Sequence, residues 1–135
     1  MIAIKTFLDA GVLIVAWRGD TARKMKALTI LNDSRRVFIC SPYIKLELMP
    51  KAIFHRNQQE QDFYNDYFSL VAQWEEDHKA IFSEAVNIGE KFGLAAMDAL
   101  HVAAAFLTAA DEFITAERPA SPFSRVTGIK IVSIY

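Results

Sequence analysis

Four acidic side chains stand where a solvated surface would not place them. Asp98 lies in GLAAMDALHVAAAF, residues 93–106, which reads as a buried helix with only Asp98 and His101 as polar side chains. Asp9 ends the mostly apolar run IAIKTFL and is followed by GVLIVA. Glu47 comes four residues after Tyr43 and three after Ile44, beside the apolar stripe of a helical pattern. Glu117 closes EFITAE, just past another short apolar run. Most other acids, namely Glu60, Asp62, Asp66, Glu75, Glu76, Asp77, Glu84 and Glu90, fall on the polar sides of helical patterns and need no special role.

Each of the four has an ordinary reading taken alone. Asp9 could cap a turn or helix, Glu47 could pair with Lys51 one turn later, Asp98 could favour the positive end of its helix, and Glu117 could be a loop acid. Together they suggest more, because carboxylates that converge repel one another, and burial without a partner costs several kcal/mol per ion. The flanking segments offer no obvious buried Lys or Arg to neutralise them. A hard divalent cation, Mg²⁺ or Mn²⁺, suits clustered Asp and Glu; zinc would call for His and Cys at ligand spacing, which this chain does not offer. His101, three residues after Asp98, is read as a locally hydrogen-bonded core or rim histidine and is not assigned to catalysis.

Positioning these acids requires strands that feed helices. Short β-branched or aromatic runs at 2–8, 37–40, 112–115 and 129–134 read as strands. Ser41 and Pro42 form a helix start after the second of them, and Pro50 ends or bends the helix that follows. Helical stripes run through Met25, Leu28 and Leu31, through Phe63, Tyr67, Leu70 and Trp74, and through Ile81, Ala85, Ile88 and Phe92. The alternation predicts an α/β fold with a mostly parallel central sheet of four to five strands, whose ligands gather beyond the carboxyl ends of the strands.

At 135 residues and 53% hydrophobic, the chain fits a single domain, 1–135, that needs no disulfide to fold. A net charge of -1 neither supports nor excludes nucleic acid as a partner, so any attraction must come from local clusters. The lone cysteine, Cys40, reads as a small core residue in a reducing compartment. Lys5 and Asp9 interrupt the apolar N-terminus well short of the ~20 residues of a spanning helix, so a cytoplasmic protein without a membrane partner is expected.

The blocks FLDAGVLI (7–14), SPYIKLEL (41–48), GLAAMDALHVAAA (93–105) and EFITAERP (112–119) resemble, in order and separation, the PIN domain, the nuclease fold of VapC-type toxins. The resemblance covers essentially the whole chain and implies a three-layer α/β/α sandwich. By it, Asp9, Glu47 and Asp98 correspond to the three principal acids and Glu117 to a fourth that is usually Asp. All four would hold one or two Mg²⁺ (or Mn²⁺) ions that activate water for hydrolysis of RNA phosphodiesters. Arg18, Arg23, Lys24, Lys26, Lys45, Lys51, Arg56 and Arg118 are candidates for steering the RNA backbone, although a solvated helix face is the default for any one of them. The resemblance further implies a homodimer and a small antitoxin as partner, hence the toxin of a type II toxin-antitoxin pair.

Two departures bear on activity. Ala10 and Gly11 stand where a hydroxyl residue commonly follows the first acid, so a hydrogen bond orienting Asp9 is expected to be missing or supplied by water. Glu117 reaches one methylene further than Asp. Two other functions therefore stay open: a PIN-like RNA-binding or interaction module with little or no catalysis, and a small metal-dependent phosphohydrolase.

Overall fold

The structure, a computed structural model, describes residues 3–135. Strand β1 (Ile4–Leu8) runs directly into helix α1 (Ala10–Arg18), which is followed by α2 (Thr21–Leu31) and β2 (Arg36–Cys40). Helices α3 (Pro42–Phe54) and α4 (Gln58–Leu70) lead to the two-residue β3 (Gln73–Trp74). Helices α5 (His78–Phe92) and α6 (Ala96–Leu107) return the chain to β4 (Glu112–Thr115), and a short 3₁₀ turn at Pro122–Arg125 precedes β5 (Lys130–Ser133). Ile2, the first residue of the expected opening strand, lies outside the described residues.

All pairings in the five-stranded sheet are parallel, in the order β3-β2-β1-β4-β5. The chain therefore winds outward from β1 to β3 on one side and resumes on the other side at β4. The point of reversal lies between β1 and β4, and in folds of this kind ligands gather there, beyond the carboxyl ends of the strands. The expected α/β class and parallel sheet are what the structure contains, with the sheet flanked by helices.

The sheet is buried because its inward residues are large and apolar. Phe7 and Phe113, on the adjacent central strands, stack at 5.6 Å between ring centroids, and Phe113 meets Phe123 at 5.1 Å. Helix α6 presents buried Ala99, Ala103, Ala104 and Ala105, small side chains that permit close packing. At the amino ends of the strands, by contrast, charges are matched: Arg36 bonds Thr6 and Glu112, each at 2.9 Å, and pairs with Asp33, while Lys130 reaches Glu112.

Several sequence expectations need correction. Trp74 does not extend the α4 stripe; α4 ends at Leu70, and Trp74 lies in β3 with the Lys45 ammonium 4.5 Å from its ring centroid. Leu70 and Met25, counted with apolar stripes, are exposed. Helix α3 continues past Pro50 to Phe54, because the exposed proline forfeits a single helical hydrogen bond without ending the turn. Glu60, expected on a polar helix face, is buried and accepts bonds from Tyr64 at 2.5 Å and Arg18 at 2.9 Å. Cys40 is buried as expected, and burial pushes its thiol up to about 12. Among the described residues no helix is long and apolar enough to cross a membrane.

Gly93 sets the turn from α5 to α6. It adopts φ +68°, and Arg125 Nη1 donates to its carbonyl and to that of Phe92, so a Cβ at this position would come 3.0 Å from the same guanidinium. Gly93→Ala is expected to lower stability by about 1 kcal/mol or somewhat more, and Phe113→Ala by about 3–5 kcal/mol. Urea unfolding followed by circular dichroism measures both; equal losses would contradict the division of roles drawn here.

Candidate metal centre

Asp9 occupies the only residue between β1 and α1. Its backbone N–H completes the β1–β4 edge by donating to Ile114 O at 2.9 Å, and its extended backbone lets the side chain turn back as the cap of α1. Asp9 Oδ1 accepts from Ala10 N–H at 2.9 Å, and Oδ2 accepts from the Thr115 hydroxyl at 3.2 Å. The carboxyl is 6% exposed, and burial pushes its pKa up to about 6; His101 acts to lower it, while Asp98 and Glu47 push it further up.

Asp98 sits in the first turn of α6, whose N-cap is Ala95 and has no side-chain capping bond. Its pKa is raised, first by burial, then by Glu117, with a smaller push from Glu47 and an opposing one from His101. Glu117 lies two residues beyond β4, held by its N–H donating to Thr115 Oγ1 at 3.1 Å and by its carbonyl accepting the Ser133 hydroxyl. One carboxylate oxygen from each of Asp9, Asp98 and Glu117 lies within 4.8 Å of the others.

Glu47 is placed differently. It projects from the second turn of α3, and its Oε1 is 2.5 Å from Nε2 of the fully buried His101. That hydrogen bond is the main reason its pKa is lowered, with burial opposing and the charges of His101 and Lys51 assisting. Glu47 is not one of the three acids whose oxygens lie within 4.8 Å of one another, although its charge reaches both Asp9 and Asp98.

The expected gap beside Asp9 is filled by Thr115. Its hydroxyl donates to one acid and accepts from the backbone of another, a role that the pair Ala10 and Gly11 cannot provide. The available sequence signal was a hydroxyl at the carboxyl end of EFIT, two residues before Glu117. Its partner Asp9 is 106 residues away, and only the β1–β4 pairing reveals it.

None of Asp9, Asp98 and Glu117 forms an ion pair with Lys or Arg among the described residues. An uncompensated buried carboxylate with two neighbouring acids fits a small hard cation, whose oxygen ligands at ~2.0–2.6 Å can stand about 4–5 Å apart. The candidate steering residues have separate surroundings. Arg18 is tied to Glu60; Arg23 and Arg118 lie 4.9 and 5.1 Å from the centroid of the Tyr135 ring; Lys51 and Arg18 line a groove of about 800 Å³ that begins at Glu47.

Comparison with known proteins agrees with this architecture. No curated protein matches the chain by sequence. Among solved structures, a chain of a toxin-antitoxin complex from Klebsiella pneumoniae superposes with a TM-score of 0.71 at 22% identity, covering 96% of this chain and 98% of that one. A chain of VapBC2 from Rickettsia felis, bound to a DNA fragment from its promoter, gives 0.73 at 14% identity, with coverage of 96% and 98%. DNA-bound VapBC from Salmonella typhimurium gives 0.67 at 15%, with coverage of 98% and 99%. These likenesses concern the fold. The PIN domain sequence profile matches residues 6–127, from the middle of β1 to just beyond the 3₁₀ turn, and so spans all the acids described above. The chain therefore belongs to the PIN domain family.

Proposed function

We propose that the protein is a divalent-metal-dependent endoribonuclease that hydrolyses RNA phosphodiester bonds, using Mg²⁺ or Mn²⁺, and that it is the toxin of a type II toxin-antitoxin pair. The observation that carries this reading is the convergence of Asp9, Asp98 and Glu117 on one edge of a PIN domain with no Lys or Arg paired to them among the described residues. The toxin-antitoxin complexes among the structures of like fold support a small antitoxin as partner. Family resemblance extends the proposal to a cytoplasmic homodimer.

In this reading Asp9, Asp98 and Glu117 hold the cation and Glu47 adds its charge from the side. When bound, the cation supplies the positive charge that acidifies water and offsets charge on the phosphate. The chain's own contribution is orientation. Ala10 N–H and the Thr115 hydroxyl fix the Asp9 carboxylate, and the Thr115 hydroxyl also anchors the segment bearing Glu117. Lys51 and the arginines around the edge attract the RNA backbone and leave the reacting phosphate to the acids. Hydrolysis adds the elements of water across one P–O bond, so no covalent intermediate with the enzyme is required.

Purified protein with single-stranded RNA in Mg²⁺ should cleave it, EDTA should abolish cleavage, and Asp98→Asn should reduce the rate by about 100-fold or more. Binding without cleavage would favour an RNA-binding module, and phosphate release from small esters would favour a phosphohydrolase. Thr115→Val should lower cleavage by about tenfold and weaken Mg²⁺ affinity, whereas Thr115→Ser should largely preserve both; isothermal titration and the RNA assay check this.

The raised pKa of Asp9 also has a stability consequence. Because the folded value of about 6 lies above the ordinary 3.8, the metal-free fold binds the proton more tightly than the unfolded chain. The corresponding stability is present below the unfolded value and is lost as pH rises to about 6. Metal-free Asp9→Asn should thus gain stability relative to the parent between pH 4 and pH 7, by up to roughly 3 kcal/mol. Mg²⁺ should remove the difference at pH 7 by stabilising the parent. Parallel urea titrations at the two pH values measure it, and a gain of the opposite sign would refute the assignment.

A further inference from the structure

We propose that His101 is a positioning residue for Glu47: its Nε2–H binds one carboxylate oxygen of Glu47 and so holds that acid beside the group of oxygens that Asp9, Asp98 and Glu117 offer to a cation, and not within it. This rests on the proposed metal-dependent function but adds a division of labour that the acid cluster alone does not contain.

The geometry begins with a histidine in an unusual place. His101 is fully buried on α6, among Ala99, Val102, Ala103, Ala104 and Ala105. Any apolar side chain would fit that face with less desolvation, and an unsatisfied buried polar atom ordinarily costs about 1–3 kcal/mol. Nδ1 of His101 has no partner among the described residues, so the ring retains one such atom while making a single polar contact, at 2.5 Å, to Glu47 Oε1. That contact spans 54 residues and joins α6 to α3.

The direction of the bond follows from chemistry. A carboxylate oxygen accepts, so a proton resides on Nε2. The lowered pKa of Glu47, caused first by this bond, agrees with an ionised acceptor. Glu47 would otherwise swing about its side-chain torsions toward the cation or toward Lys51. With Oε1 held, Oε2 alone remains free to face the site. His101 is also three residues from Asp98 on the same helix, so α6 both provides a ligand and sets the orientation of an acid on its neighbour. The spacing between Glu47 and the other acids then depends on packing of α3 against α6, and the arrangement is formed before any ion binds.

The test combines spectroscopy with metal binding. Long-range ¹H–¹⁵N spectra of the metal-free protein should show the His101 ring as the Nε2–H form, with its shifts changed in Glu47→Ala. Mn²⁺ titrations followed by electron paramagnetic resonance should give a dissociation constant raised about 30-fold or more by Asp98→Asn, but less than about fivefold by Glu47→Gln or His101→Phe. His101→Phe should lower kcat for RNA about tenfold or more with little change in KM, and His101→Gln, which keeps an N–H donor, should recover part of the loss. A ring without a proton on Nε2, or Glu47→Gln weakening Mn²⁺ as much as Asp98→Asn does, would overturn the proposal while leaving the nuclease reading intact. Failure of the parent protein to bind Mn²⁺ would instead remove the nuclease reading, and the claim about the cation with it. Should His101→Phe not fold, the ring spectra and the Glu47→Gln titration still decide.

Discussion

Mutual repulsion among carboxylates is the constraint around which this molecule is arranged. Left to themselves, Asp9, Asp98 and Glu117 would separate or take up protons; the pKa values of Asp9 and Asp98 are raised first by burial, and neighbouring acids add to the rise. Backbone pairing keeps them together. Asp9 is fastened into the β1–β4 edge, Asp98 is carried on a helix packed into the core, and Glu117 is tied to Thr115 and Ser133. The packing of Phe113 on Phe7 and on Phe123 opposes the repulsion by holding the central strands in register.

The two ends of the sheet handle charge in opposite ways. At the amino ends, Arg36 meets Thr6, Glu112 and Asp33, and Lys5 N–H donates to Asp111, so each charge has a near partner. At the carboxyl ends, Asp9, Asp98 and Glu117 form no ion pair with Lys or Arg among the described residues. Stability alone would favour matching both ends, since an unpaired buried acid costs free energy. An arrangement that leaves one end unmatched reserves it for something that arrives with positive charge.

Much of this was legible in the sequence, and the exceptions have physical causes. Strand and helix periodicity placed β1, β2, β4 and β5 closely, and three of the four out-of-place acids, Asp9, Asp98 and Glu117, come together at the carboxyl edge of the sheet. Trp74 was missed as a strand because β3 has two residues, too few for a period of two to register against the helical pattern that precedes it. Glu60 looked like a surface acid because its neighbours Asp62 and Asp66 are polar, and its burial depends on Arg18 and Tyr64. Thr115 and His101 were harder still. Their partners lie 106 and 54 residues away, and a hydroxyl or imidazole gives no periodic signal of what it will touch.

The winding of the chain has one more consequence. Position 9 directly follows the first strand, while positions 98 and 117 belong to α6 and the loop after the fourth strand, and β1 joins β4 only after everything between them has been made. During synthesis, an emerging polypeptide that has not yet reached position 117 lacks one of the three clustered acids. The carboxylate cluster is thereby a property of the assembled sheet with β4 docked against β1, and no shorter stretch of the chain carries it.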